Sequence, residues 1–245
     1  MSIVFNTVFA LAAMSPAAAE GTNPGALFPH LAKIELKNEG VRLWYPTDKV
    51  TRVKSPPAFV KEYEQAGVYA SEPIVIDLGN GLPKLGVACD SGPSNDPSCR
   101  LLQKFDEPDS AIFESPGTDF VFLASGEIHV FGHTDALYDH RRLFRFDGTR
   151  FREVPQPFRY VGIDGKTKAA LAITSERGGD AAHPLATLPA NSTLTILLNA
   201  SVGDDENGQN PDYLVRTREG LVGWARMPMQ ADGTTIVDGL RFAGD

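Results

Sequence analysis

The chain has 245 residues and carries 31 acidic and 23 basic side chains, which gives a formal net charge of −8 at pH 7. This balance opposes non-specific association with nucleic acid or an anionic membrane surface, because both are polyanions that repel an acidic protein unless a local basic face reverses the effect. The 18 prolines and 23 glycines favour many turns and few long helices, so we expect a mainly all-β protein of two domains.

The N-terminus has the pattern of a secretory signal peptide. Residues 1–19 carry no charge, contain an apolar run from Ile3 to Met14, and end in three alanines before Glu20. An apolar core followed by small residues predicts a signal peptide over 1–19 and a periplasmic or secreted protein. The run is too short for a permanent transmembrane helix, so we expect no membrane span.

Strands dominate the first half of the chain. Alternation of apolar and polar residues predicts half-buried strands over 33–37 and 41–45, and a β-branched run predicts a buried strand over 74–78. Residues 120–132 predict two strands joined by a turn at Ser125–Gly126.

The two cysteines are close in sequence. Cys89 and Cys99 bracket a segment rich in turn-forming residues that can bring two Cα atoms within bridging distance. An exported protein experiences oxidising conditions, so we predict a disulfide between them. A metal site with two thiolates would need further ligands that this segment does not supply.

The domains are placed by changes in composition. Residues 27–165 form a β-rich N-terminal domain of unknown type with one short helix, which the Ser55-Pro-Pro start and the apolar spacing before Gly67 predict. Charges become sparse after Lys166, and we predict a second domain over 169–245.

A hairpin is predicted around the Asp147–Gly148 dipeptide. A two-residue loop would place Phe144 opposite Phe151 on one face and Arg145 opposite Arg150 on the other.

Arginines are concentrated on this hairpin, notably Arg145, Arg150 and Arg152. Directly opposed like charges cost stability unless they are neutralised. An anionic wall polymer or an acidic partner could bind them through bidentate hydrogen bonds, which makes the three arginines candidate ligand contacts. The alternative is pairing with acids of the same chain, such as Asp139 and Glu153.

Three histidines and two aspartates have the composition of a metal site: His129, His133, His140, Asp135 and Asp139. On one extended strand His129 and His133 would stand ~13 Å apart, too far to bind one ion. We interpret these histidines as surface and turn residues, and we expect no metal or other cofactor.

The C-terminal third, from Ala169 to about Pro228, resembles the bacterial SH3-like (SH3b) family. Its most specific parts are Tyr213-Leu-Val-Arg-Thr and Gly220-Leu-Val-Gly-Trp-Ala-Arg. The resemblance implies a small, strongly bent β-barrel that attaches to the cell wall or to peptide and protein partners. Tyr213, Arg218 and Trp224 are candidate ligand contacts in such a module, although an aromatic residue in a small barrel can equally belong to the core.

A second resemblance concerns Cys89-Asp90-Ser91-Gly92, which is similar to the Asp-Cys-Ser-Gly nucleophile motif of the NlpC/P60 cell-wall peptidases. Residues 128–130 are similar to the histidine strand of those enzymes. In this chain the cysteine precedes the aspartate, and Pro93 and Pro97 oppose the helix that would activate a thiolate.

We therefore expect a non-catalytic, exported binding protein of the cell envelope whose partner is peptidoglycan or an envelope protein, with no catalytic residues. The alternatives are a divergent NlpC/P60-like cysteine peptidase and a structural or assembly component of an envelope complex.

Overall fold

The computed structural model describes residues 23–36, 40–53, 74–79, 81–92, 96–104, 107–200 and 211–244. Within these ranges the regular structure is almost entirely β-strand, with 51% strand against 4% helix, which confirms the predicted all-β class. The predicted signal peptide over 1–19 and the predicted helix after Ser55 lie outside the described residues. None of the helices within them is long and apolar enough to cross a membrane.

The elements of the first part are α1 (Pro24–Leu27), β1 (Ala32–Leu36), β2 (Val41–Tyr45), β3 (Val50–Arg52), β4 (Ile74–Ile76), β5 (Leu85–Asp90), β6 (Ser98–Leu102), a 3₁₀ turn (Pro108–Ser110), β7 (Ala111–Pro116), β8 (Asp119–Phe122), β9 (Glu127–Gly132), β10 (His140–Phe146) and β11 (Phe151–Glu153). The remaining strands are β12 (Phe158–Lys166), β13 (Leu171–Ile173), β14 (Ala186–Leu188), β15 (Thr193–Ala200), β16 (Asp212–Thr217) and β17 (Val222–Arg226).

Two sheets pack face to face in the first part. The first sheet has the order β1-β2-β8-β9-β10-β11 and the second has the order β3-β4-β5-β6-β7. Neighbouring strands are antiparallel except β2 and β8. Leu43, Phe120 and Phe144 of the first sheet share one core with Leu85 and Leu101 of the second. The outer face of the first sheet lies outside this core.

The predicted strands over 33–37, 41–45, 74–78 and 120–132 are confirmed as β1, β2, β4 and the β8–β9 hairpin. The disulfide is also confirmed. Cys89 and Cys99 stand opposite each other on β5 and β6, with their Cα atoms 4.1 Å apart.

The register predicted for the arginine hairpin is wrong. Phe151 pairs with Phe146 rather than Phe144, and Arg145 stands opposite Arg152 rather than Arg150. The cause is the Asp147 carboxylate, whose Oδ1 accepts hydrogen bonds from the backbone N–H groups of Thr149 and Arg150 and so closes a longer loop. The shift is by two residues, so the paired strand residues keep their predicted faces, whereas Arg150 lies in the loop before β11.

A second core forms under the sheet β12-β15-β16-β17. The β13–β14 pair joins this sheet through Thr174, which forms two backbone hydrogen bonds of 2.8 Å with Trp224. This approach requires Gly223, because a Cβ atom there would lie 2.7 Å from the Thr174 carbonyl oxygen. Since β12 pairs with β15, the second sheet begins at Phe158, ahead of the boundary predicted near Lys166.

The connection between β9 and β10 links the two parts. Leu137 and Tyr138 leave the first sheet and lie in the second core, where both are completely buried. The Tyr138 hydroxyl donates a hydrogen bond of 3.0 Å to Oδ1 of Asn199, which is also buried. A buried hydrogen bond thus supports the contact between the parts.

We expect Tyr138→Phe to lower the free energy of unfolding by about 1–2 kcal/mol, because it removes this donor from a buried acceptor. Urea unfolding measures the change. Tyr160→Phe is the matched control, because the Tyr160 side chain is half exposed, and its effect should stay within about 0.5 kcal/mol. Equal effects of the two variants would contradict the prediction.

Candidate binding site

The two faces of the second sheet differ in exposure. Strand alternation directs Val161, Tyr213 and Ala225 into the core, where they are buried. The same alternation directs Tyr160 and Trp224 to the outer face. We call this outer surface the aromatic face and define it by these residues: Phe158, Tyr160, Leu198, Leu214, Val222 and Trp224.

The strand register gathers the aromatic face into a row. Tyr160 pairs with Leu198, Leu198 with Leu214, and Leu214 with Trp224, so one apolar side chain from each strand stands beside the next. Phe158 adds an aromatic ring whose centroid lies 6.0 Å from that of Trp224. Phe158 and Tyr160 expose 43% and 50% of their surface, values that leave both rings accessible to a partner.

A bulge in β12 sets the position of Tyr160. The pairing with β15 shifts between Tyr160 and Ile163, and Gly162 adopts φ +69° within the bulge. A Cβ atom at Gly162 would lie 2.4 Å from the Tyr160 ring. The glycine therefore gives the ring its place over the backbone.

Of the residues named from the SH3b resemblance, Trp224 alone belongs to the aromatic face. Tyr213 is completely buried and its ring lies 6.4 Å from that of Tyr138, so it is a core residue without surface for a ligand. Arg218 follows β16 and lines a different cleft of about 810 Å³, together with Lys166 and Asp238. The structure does not bring the three residues together.

Charged groups border the aromatic face. The Arg141 guanidinium lies 4.4 Å from the centre of the Tyr160 ring. Near the other edge the buried Asp212 carboxylate is 3.3 Å from Arg177 and 3.4 Å from Arg226. These contacts surround the apolar surface with fixed polar groups, as is common at the rim of an interface.

Acids of the chain neutralise two of the three hairpin arginines. The Arg145 Nε lies 2.8 Å from Glu127, and the Arg152 Nε lies 2.5 Å from Asp147. Hydrogen bonds from the Arg150 backbone N–H, the Arg152 side chain and the Thr149 backbone N–H lower the pKa of Asp147 to about 2. Arg150 is exposed and forms no ion pair within the described part of the chain. Arg145 and Arg152 are therefore paired with acids of the same chain, which was the alternative to a contact with an external ligand.

The histidines have separate environments. His129 lies between the rings of Phe28 and Phe131, and burial lowers its pKa. His133 Nε2 lies 2.9 Å from the carbonyl oxygens of Ala136 and Arg241. Across the described ranges, no three His, Cys, Asp or Glu side chains gather in a geometry that could hold a metal ion.

His140 is the most deeply buried histidine of these. It is 5% exposed, and its Nδ1 accepts a hydrogen bond of 3.2 Å from Arg159, since a guanidinium group can only donate. Burial is the main cause that lowers the pKa of His140 to about 3, and the positive charges of Arg159 and Arg142 add to the effect. The ring is therefore neutral at physiological pH.

No protein-family model, no curated protein and no solved structure matches this chain. A functional assignment accordingly rests on the chain's own residues.

Sequence reasoning missed Phe158 and Tyr160. The signal was present in Phe158-Arg-Tyr-Val, where residues of alternate position share a face of a strand. The sequence alone did not indicate which of the two faces is covered.

Proposed function

We propose that this protein is a non-catalytic, exported binding protein of the cell envelope, and that its C-terminal part is an SH3b-like module. The partner is peptidoglycan peptide or an envelope protein, and it contacts the aromatic face. The observation that carries the proposal is the exposed pair Phe158 and Tyr160 beside Trp224, on a sheet whose other face is a closed core.

Aromatic side chains suit this role for a physical reason. They bury a large area while losing the freedom of only two side-chain torsions, and they are enriched at the energetic centres of interfaces. The aromatic face presents three such rings, and the Arg141 guanidinium is stacked at its edge. An arginine held in this way keeps its outward N–H groups for carboxylate or carbonyl oxygens of a partner.

The disulfide weighs against the peptidase alternative. Cys89 is bonded to Cys99, and a cysteine in a disulfide has no thiolate to attack a substrate. The motif on which that alternative depended therefore lacks its nucleophile.

Retention by purified peptidoglycan and by an envelope lysate tests the proposal. The full chain is used, because β12 belongs to the second sheet and a fragment over 169–245 would lack it. We expect retention of the wild type, and a loss of at least about fivefold in Phe158→Ser/Tyr160→Ser. The control is Leu27→Ser/Leu185→Ser, which also changes two exposed apolar side chains, 54% and 51% exposed, and should leave retention unchanged.

Failure of the wild type to retain either peptidoglycan or any protein would overturn the proposal. Equal retention of all three proteins would show that the aromatic face is not the contact. A stable stoichiometric complex with an envelope protein, without binding to peptidoglycan, would instead support the role of an assembly component.

A further inference from the structure

A polar cleft of about 620 Å³ lies on the outer face of the first sheet, away from the sandwich core. Its lining includes the cations Lys33, Arg42 and Arg141, the acids Asp119 and Asp139, and the ring of Trp44. The volume is in the range of sites that hold small molecules.

The strand register builds the floor of this cleft. Arg42 pairs with Asp119, Asp119 with Phe131, and Phe131 with Arg141, so these four side chains form one row across β2, β8, β9 and β10. Strands lie about 4.8 Å apart, which places the backbones of the two arginines about 14 Å apart. Two cationic side chains therefore face the cleft from opposite sides.

Asp119 holds the side chains around it in the cleft in fixed positions. Its side chain is only 4% exposed and accepts hydrogen bonds from Arg42 Nη2, from Trp44 Nε1 at 2.9 Å and from Thr118 Oγ1 at 3.2 Å. A buried carboxylate with three donors is well compensated. It holds the Arg42 guanidinium and the Trp44 ring in place without needing a ligand of its own.

The cationic groups keep unused donors. The side chain of Arg42 is 46% exposed, and within the described ranges only Nη2 of its three nitrogens has a partner. The Nε atom of Arg141 is buried and has no hydrogen-bond partner. The Lys33 ammonium lies 5.8 Å from the Trp44 ring centre, and its nearest acid is Glu35 at 3.7 Å.

The unused cationic donors select the ligand class. Three cations and two acids line the cleft, and Glu35 stands 3.7 Å from Lys33, so the charges nearly balance. Arg42 and Arg141 nevertheless keep N–H groups that have no acceptor within the described residues. A monocarboxylate matches these groups, because it can accept a pair of hydrogen bonds from an arginine fork. Hydroxyl groups match the remaining lining, since Asp139, Thr118 and Asn23 can bond to them, and Trp44 supplies a ring wall.

We propose that this cleft binds a sugar acid, either as a free small molecule or as one unit of an anionic polysaccharide. The carboxylate lies between Arg42 and Arg141, close to Lys33, and the sugar ring lies against Trp44. This site is separate from the aromatic face, although Arg141 borders both.

Titration calorimetry of the full chain with D-glucuronate, and with D-glucose as the neutral isostere, tests the proposal. We expect D-glucuronate to bind and D-glucose to bind at least about tenfold more weakly. The variant Lys33→Gln/Arg141→Gln should weaken D-glucuronate binding by about tenfold or more while leaving Arg42 on Asp119. Lys33→Gln alone should also weaken D-glucuronate binding. Because the Lys33 side chain is half exposed, this single variant should fold normally even if the double variant does not.

The matched control is Lys104→Gln/Arg150→Gln. It removes two positive charges from exposed positions outside the cleft and should preserve the affinity for D-glucuronate. Polygalacturonate compared with D-galacturonate, its own monomer, separates the two sources, because only a polymer-binding site gains affinity from the chain. Phe158→Ser, which keeps the Tyr160 ring on Arg141, should retain D-glucuronate while it weakens retention by the wall, which distinguishes this site from the proposed wall contact. Equal binding of glucose and glucuronate, equal weakening by the control, or no binding up to about 10 mM would overturn the proposal.

Discussion

Replacing His140 with asparagine is expected to make the free energy of unfolding fall less steeply as the pH is lowered. The pKa of His140 is about 3 in the folded protein and near 6.5 in the unfolded chain. Between these values the unfolded chain binds a proton on this side chain and the folded protein does not, so acidification favours unfolding. The neutral His140 ring therefore makes its full contribution to the free energy of unfolding above pH 6.5. At most about 1.4 kcal/mol of that contribution is lost for each pH unit below this value.

Urea unfolding at a series of pH values from 7.5 to about 4.5 measures the slope. His140→Asn keeps an acceptor near the Nδ1 position for Arg159 but cannot titrate, so its slope should be smaller by up to about 1.4 kcal/mol per pH unit. His183→Asn is the control, because the His183 side chain is 86% exposed. Equal slopes in the wild type and His140→Asn would contradict a buried, neutral histidine.

Removal of the disulfide by Cys89→Ala/Cys99→Ala is expected to lower the free energy of unfolding by about 3 kcal/mol. The two cysteines are 10 residues apart, and the chain-entropy model gives about this value for a loop of that length. Both side chains are buried on adjacent strands in the sandwich core, so loss of packing adds to the effect.

Thermal or urea unfolding with and without dithiothreitol provides the measurement. The reductant should lower the midpoint of the wild type and leave that of the double alanine variant unchanged. A midpoint insensitive to reductant in the wild type, with verified reduction of the bond, would contradict a stabilising role.

The alternation of apolar and polar residues predicted β1 and β2 correctly, because the pattern of a strand depends only on the few residues within it. The alternation in 33–37 and 41–45 directs apolar side chains to one face, and the structure places them on β1 and β2 in the sandwich core. The disulfide was predictable for the same reason, since a turn-rich segment between the cysteines suffices to bring them together.

The hairpin register was not predictable from the turn dipeptide alone. The Asp147 side chain accepts hydrogen bonds from two backbone N–H groups and so lengthens the loop. These N–H groups bond to a side chain instead of to the backbone of the opposite strand. The start of the second sheet at Phe158 could not be predicted from composition for a related reason. Composition changes after Lys166, whereas the pairing of β12 with β15 joins residues that are 27 to 42 positions apart.

Periodicity and short-range geometry in the sequence predicted the all-β class, the positions of several strands and the disulfide. Only long-range packing established which surfaces are exposed. It placed Tyr213 in a core and left Trp224 beside the exposed Phe158, and it brought Arg42 and Arg141 into one row across four strands. Alternation states that two faces differ, but only packing and long-range pairing determine which face is covered.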